Sequence, residues 1–191
     1  MSTKKVIGIV GIKNSGKTMI GNYISNEYRY RSIAFATPLK KICSSLFNKP
    51  YEDFEHTINK EHVYDDLNVS PRQLMQVFGT ELLRTELFNN LPGLNVDYNN
   101  IWIHYAKNEM KEYKENIVIT DVRFDDECQF IKDEGGYLMY VNRFDGIEHH
   151  LDSHESERAH FLRSKCDVII DNVDNSIDLT FEQVDAFMHS L

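Results

Sequence analysis

The eight residues Gly11-Ile12-Lys13-Asn14-Ser15-Gly16-Lys17-Thr18 fit G-x-x-x-x-G-K-[ST] at every fixed position. These residue types suit one chemistry. Gly11 and Gly16 let the backbone wrap closely around phosphate, with N–H groups along Lys13, Asn14 and Ser15 turned inward. The helical pattern that follows brings the positive end of its dipole to the same anion. Lys17 reaches the β and γ phosphates of a bound ATP, and the Thr18 hydroxyl is the expected Mg²⁺ ligand. A buried strand before the loop and a helix after it set aside a turn that merely joins the two.

A second group lies at Asn116-Ile117-Val118-Ile119-Thr120-Asp121, an apolar strand ending in a carboxylate. A carboxylate at the C-terminal edge of a parallel sheet stands near a phosphate loop, where Mg²⁺ needs oxygen ligands. Thr18 and Asp121 are therefore the metal-side pair, and Arg123 faces the transferring phosphoryl group. The plain alternative is a solvated strand-end Asp beside a surface Arg.

A third group carries the signals for an acceptor. Ser70-Pro71-Arg72-Gln73 reads as a helix start, with Ser as cap, Pro at the first position and Gln at the third. Projected at ~100° per residue, Leu74, Met75, Phe78 and Leu82 share one face. Arg72, Gln73, Gln76, Thr80 and Arg84 share a sector of about 120° on another. Arginine clamps phosphate bidentately, and a glutamine amide both donates to and accepts from a base edge. A solvated helix face is the competing reading. Trp102, the only tryptophan, is either a base-stacking platform or a core residue. Arg143, Arg158 and Arg163 are phosphoryl-clamp candidates in and beside the polar stretch 144–165, a lid-like segment. His149, His150 and His154 in that stretch lack regular metal-ligand spacing.

The elements that must position these residues follow from hydrophobic patterning. Near-continuous apolar runs at Val6–Val10, Ser32–Ala36, Ile117–Thr120, Tyr137–Asn142 and Asp167–Ile170 read as buried parallel strands. Helical patterns lie between them at Lys17–Glu27, Pro38–Phe47, Pro71–Phe88, Ile101–Tyr113 and Asp126–Asp133, with a last helix from about Ile177. The alternation predicts an α/β fold with a five-stranded parallel sheet and helices on both faces. The long interval between the second and third strands exceeds an ordinary crossover, so 37–115 is expected to be a helical insertion that binds the acceptor.

Length and composition set the outer bounds. The chain has 191 residues, 41% hydrophobic and 27% charged, which suits a single globular domain spanning 1–191. The net charge of −9 disfavours nucleic acid as the main partner. No run approaches the roughly 20 apolar residues of a membrane span, so a cytoplasmic protein is expected. Three widely spaced cysteines, Cys43, Cys128 and Cys166, form no C-x-x-C pair and read as reduced, buried thiols.

With these residues assembled, the sequence resembles the deoxynucleoside monophosphate kinases of bacteriophages and large DNA viruses. The resemblance rests on the phosphate loop, then Phe35-Ala36-Thr37-Pro38-Leu39-Lys40, Ser70-Pro71-Arg72-Gln73-Leu74-Met75-Gln76 and Phe78-Gly79-Thr80-Glu81 with Arg84. Trp102, Asp121-Val122-Arg123-Phe124 with Glu127, Gly135-Gly136, Arg143 and His154-Glu155-Ser156-Glu157 complete it. Thr37, Asn100 and Asp125-Asp126 depart from the family pattern, which has Asp, Asp and Pro-Asn there. The resemblance implies a three-layer P-loop kinase fold and ATP- and Mg²⁺-dependent phosphorylation of a deoxynucleoside monophosphate. It makes Arg72, Gln76 and Arg84 acceptor contacts, with Lys40 a further candidate, and puts Asp121 and Arg123 at the phosphoryl-transfer edge. With Lys17 of the loop these two form the catalytic group, and Gln73 and Trp102 join the acceptor set from the helix-start and base-stacking readings above. A lid closes over the phosphates, and a homodimer is compatible with the sequence. The alternatives are a P-loop kinase acting on dephospho-coenzyme A or a sugar acid, and a nucleotide-dependent switch or binding module. No guanine-reading N-K-x-D occurs, and Asn172 and Asn175 fit at best an adenine-side loop.

Overall fold

The computed structural model describes residues 4–56, 59–144, 161–173 and 176–191. The chain divides into two compact units, Phe35–Asn108 and a second formed by Met1–Ala34 with Glu109–Leu191.

The second unit holds the sheet. Strands β1 (Val6–Val10), β2 (Arg31–Ile33), β3 (Ile117–Val122), β4 (Tyr137–Phe144) and β5 (Val168–Val173) lie in the order β2-β3-β1-β4-β5, with every pairing parallel. All five residues of β1 are buried, as its central position and continuous apolar sequence require. Ile7 and Ile9 point toward α1 (Lys17–Tyr28) and the C-terminal helix α8 (Ile177–Ser190), in a core with Ile20, Ile24, Val141, Ile170 and Val184. Helix α7 (Asp125–Asp133) packs on the other face, where Ile131 and Leu138 close over Gly8. Helix α1 sits close against β3: a Cβ at Gly21 would fall 2.4 Å from Thr120 Cγ2. That contact brings the start of α1 beside the strand that carries Asp121.

The second strand is shorter than the apolar run Ser32–Ala36 suggests. It covers Arg31–Ile33, and Phe35 and Ala36 turn into α2 (Thr37–Phe47), whose first turn holds Pro38. Phe35 is 3% exposed, so its apolar character goes with burial outside the strand. That unit contains α2, α3 (Tyr51–Glu55), α4 (Pro71–Gln76), α5 (Leu87–Asn90) and most of α6 (Ile101–Lys111). The expected single helix Pro71–Phe88 is not one α-helix. From Val77 to Glu86 it runs as a π-helix, and Leu87 N–H donates to Leu82 O, five residues back. Among the described residues no helix is long and apolar enough to cross a membrane.

The thiols are chemically quiet. Burial raises Cys43 from 9.0 to about 11. Burial, with the neighbouring Cys166, raises Cys128 to about 12. Burial, with Asp167, raises Cys166 to about 12. An acid whose folded value is raised stabilises the fold fully below its unfolded value and loses that contribution as pH climbs toward the folded one. The melting temperature should therefore be insensitive to these groups up to about pH 9 and fall above it. At pH 8 a chromogenic disulfide reagent should titrate three thiols quickly only in denaturant; three fast thiols in the native protein would contradict this packing.

Candidate active site

The phosphate loop is a strand-to-helix turn whose carbonyl groups are engaged by side chains of its own unit. Lys17 Nζ curls back to donate to Gly11 O at 2.8 Å and Ile12 O at 2.5 Å. Arg143 Nη1 donates to Asn14 O at 2.7 Å, and Asn172 Nδ2 donates to Ser15 O at 2.8 Å. Gly16 O accepts from Ile20 N–H, the first helical bond of α1. Gly16 has φ +102°, a conformation that L side chains rarely adopt. Ser15 is fully buried, and its Oγ is a buried hydroxyl without a hydrogen-bond partner among the described residues. A buried, unsatisfied donor costs about 1–3 kcal/mol. Its presence in this loop is what a site for an anion would provide.

Asp121 stands at an irregularity in the sheet. The pairing of β1 with β3 runs Gly8 with Ile119 and then Val10 with Val122, so β3 carries one extra residue. Strict alternation would put Asp121 with Ile117 and Ile119, on the face away from α1. The extra residue interrupts that alternation at Thr120-Asp121. A hydroxyl and a carboxylate, Thr18 and Asp121, are a donor set that suits Mg²⁺, which takes few protein oxygens and keeps waters and phosphate oxygens around it.

Arg123 is exposed just beyond β3, and its backbone is fixed by a residue that composition and spacing gave no role. Glu127 is 2% exposed, and its Oε2 accepts from Arg123 N–H at 2.7 Å and Phe124 N–H at 3.1 Å. The carboxylate caps the first turn of α7 and complements its dipole. The spacing of Glu127 three residues after Phe124 was the available signal. Of the remaining clamp candidates, Arg163 stacks 5.7 Å from the Tyr140 ring. Arg158, the three histidines, Asn175 and most of 144–165 lie outside the described residues.

The acceptor candidates all fall in the unit 35–108. Lys40 pairs with Glu55 at 2.7 Å and Arg72 with Glu61 at 2.6 Å. Burial alone would raise the Glu55 carboxyl, but hydrogen bonding to Lys40 and its charge bring it below the usual range. Gln73 is partly committed: its Oε1 accepts from Ser70 N–H while Ser70 Oγ accepts from Gln73 N–H, a reciprocal cap. Gln76 and Thr80 are exposed, and the stretch carrying Thr80 and Arg84 runs in the wider π turn that begins at Val77. Trp102 is 6% exposed and its Nε1 donates to Gly79 O at 3.1 Å, so its ring packs in the core instead of offering a stacking face. The family departure at Asn100 also has a structural reading. Asn100 is fully buried and its Oδ1 accepts from Trp102 and Ile103 N–H, so it caps α6 with the oxygen that an Asp would use.

The architecture is shared with solved structures. The chain matches TT1252 from Thermus thermophilus over 100% of its length and 99% of that chain, at 14% identity and TM-score 0.52. Shikimate kinase from Aquifex aeolicus matches over 97% of both chains, at 13% identity and TM-score 0.53. The fold is thus that of the P-loop kinases. The sequence also matches the profile of the deoxynucleotide monophosphate kinase family over residues 48–184. A protein of Acanthamoeba polyphaga mimivirus, provisionally named a deoxynucleotide monophosphate kinase, is 39% identical over 159 residues, 80% of each chain. The chain belongs to the deoxynucleotide monophosphate kinase family, and it is a nucleoside monophosphate kinase.

The cap on α7 makes a direct prediction. Glu127→Ala leaves two N–H donors unsatisfied and should destabilise the protein by about 1–3 kcal/mol in urea unfolding. Glu127→Gln, which keeps an acceptor oxygen, should lose less. Equal stability of Glu127→Ala and the parent would contradict this role.

Proposed function

We propose that the chain transfers the γ-phosphoryl group of ATP in line to the phosphate of a deoxynucleoside monophosphate, releasing ADP and a deoxynucleoside diphosphate. One observation carries the reading: an intact phosphate loop stands in a chain whose family is described by a deoxynucleotide monophosphate acceptor. An acceptor phosphate oxygen attacks the γ-phosphorus as the bond to the β,γ-bridging oxygen breaks. With a second pKa near 6, that acceptor is ionised at neutral pH and needs no general base. Rate enhancement then comes from alignment and charge stabilisation.

Lys17 swings from the Gly11 and Ile12 carbonyls onto the β and γ phosphates, and Arg123 and Arg143 are the cations offered to the transferring group. Thr18 and Asp121 would hold Mg²⁺, which when bound neutralises charge on the β and γ phosphates. In the unit 35–108, Arg72 binds the acceptor phosphate, with Lys40 and Arg84 as further cations and Gln76 as a base-edge contact. Arg72 and Lys40 must leave Glu61 and Glu55 to do so. The more open Arg72–Glu61 pair is worth roughly 0–1 kcal/mol, so a bidentate arginine–phosphate contact prevails there. The segment 144–165 is the lid in this reading, and 37–115 is the acceptor-binding insertion.

Release of ADP, followed across deoxynucleoside and ribonucleoside monophosphates, tests the reading. At least one deoxynucleoside monophosphate should raise turnover by several orders of magnitude over ATP alone. Lys17→Met should abolish that turnover while the chain stays folded, with a small fall in melting temperature from the donations lost at Gly11 O and Ile12 O. Acceptor-independent hydrolysis, or near-normal activity of Lys17→Met, would refute the proposal.

A further inference from the structure

We propose that Asn172 is a positioning residue that aims the phosphate-binding backbone of the loop, and that α8 sets it in place. The inference rests on the reading that ATP sits in the loop Gly11–Thr18.

Arg143 and Asn172 are register partners on β4 and β5, and they donate to the consecutive loop carbonyls of Asn14 and Ser15. A trans peptide is planar, so its C=O and N–H point in opposite directions. Holding Ser15 O therefore fixes the direction of Gly16 N–H, one of the groups at the start of α1 that a phosphate needs. The fit is tight, since a Cβ on Gly16 would lie 2.4 Å from Asn172 Nδ2. Glycine is required there both for its φ and for the approach of Asn172.

The amide of Asn172 is itself oriented. Thr180 is fully buried on α8, and its Oγ1 lies 3.4 Å from both Asn172 Oδ1 and Asp171 O. Beside it, Gln183 closes on the backbone of Asp171, accepting from its N–H at 2.9 Å and donating to its O at 3.0 Å. The side-chain amide thus takes the place of a neighbouring strand on an otherwise unpaired edge. The C-terminal helix fixes the end of β5, and β5 fixes the loop.

Calorimetric titration of the full chain with ATP, alongside steady-state kinetics with a saturating acceptor, tests this. In Asn172→Ala the Kd and KM for ATP should rise about fivefold to tenfold, the range that one lost hydrogen bond gives. The acceptor KM and melting temperature should hold, and kcat should fall less than about threefold. Thr180→Val should move ATP affinity the same way by a smaller factor, and Gln183→Ala, which frees the Asp171 backbone but keeps the Thr180 contact, by a smaller factor still. ATP affinity unchanged in both Asn172→Ala and Thr180→Val would overturn the proposal, as would a parallel rise in acceptor KM. Because binding is read directly, a wild-type chain that binds ATP without phosphorylating any deoxynucleotide would sink the proposed function and leave this inference standing on the titration.

Discussion

Everything in the sheet-bearing unit converges on the carbonyl side of one loop. A backbone that offers its N–H groups to phosphate must turn its C=O groups somewhere else, and each of those needs a donor. Here the donors are Lys17 on Gly11 and Ile12, Arg143 on Asn14, and Asn172 on Ser15. They come from α1, β4 and β5, so the loop holds its shape only while these elements keep their register. The parallel order β2-β3-β1-β4-β5 puts β1, and hence the loop, at the centre. Gly21 on Thr120 and Ile131 over Gly8 then lock the flanking helices to the same strands.

Irregularity has a purpose in two places. The extra residue in β3 falls at Thr120-Asp121, where the candidate metal-side carboxylate stands. The π-helix Val77–Glu86 brings Gly79 against Leu39 and under the Trp102 indole N–H, in the stretch that carries Thr80 and Arg84. Such wide turns cost hydrogen-bond geometry and are found mostly at functional sites.

Sequence patterning made the sheet legible because four of its five strands begin on an apolar run, although β3, β4 and β5 continue past the polar pairs Thr120-Asp121, Asn142-Arg143 and Asp171-Asn172. It misplaced the end of β2 because Phe35 is as apolar as a strand residue and packs elsewhere. The phosphate loop was legible because its residue types and spacing follow directly from wrapping backbone around an anion. Other site features were not readable. An α-turn and a π-turn share the same side chains and differ in one backbone bond, so the wide turn from Val77 was not readable from the pattern that put Arg72, Gln76 and Arg84 on one face. Gln73 and Trp102 look equally apt for ligands and for structure until their partners are seen. The contact of Asn172 with Ser15 joins residues 157 positions apart and depends on strand register, which no local motif encodes.

The account holds that the loop serves transfer, not hydrolysis. The most direct test follows the phosphorus itself, using ATP labelled at the γ position with a deoxynucleoside monophosphate present. The label should appear in the deoxynucleoside diphosphate in step with ADP. Label recovered as inorganic phosphate at a rate indifferent to the acceptor would contradict it.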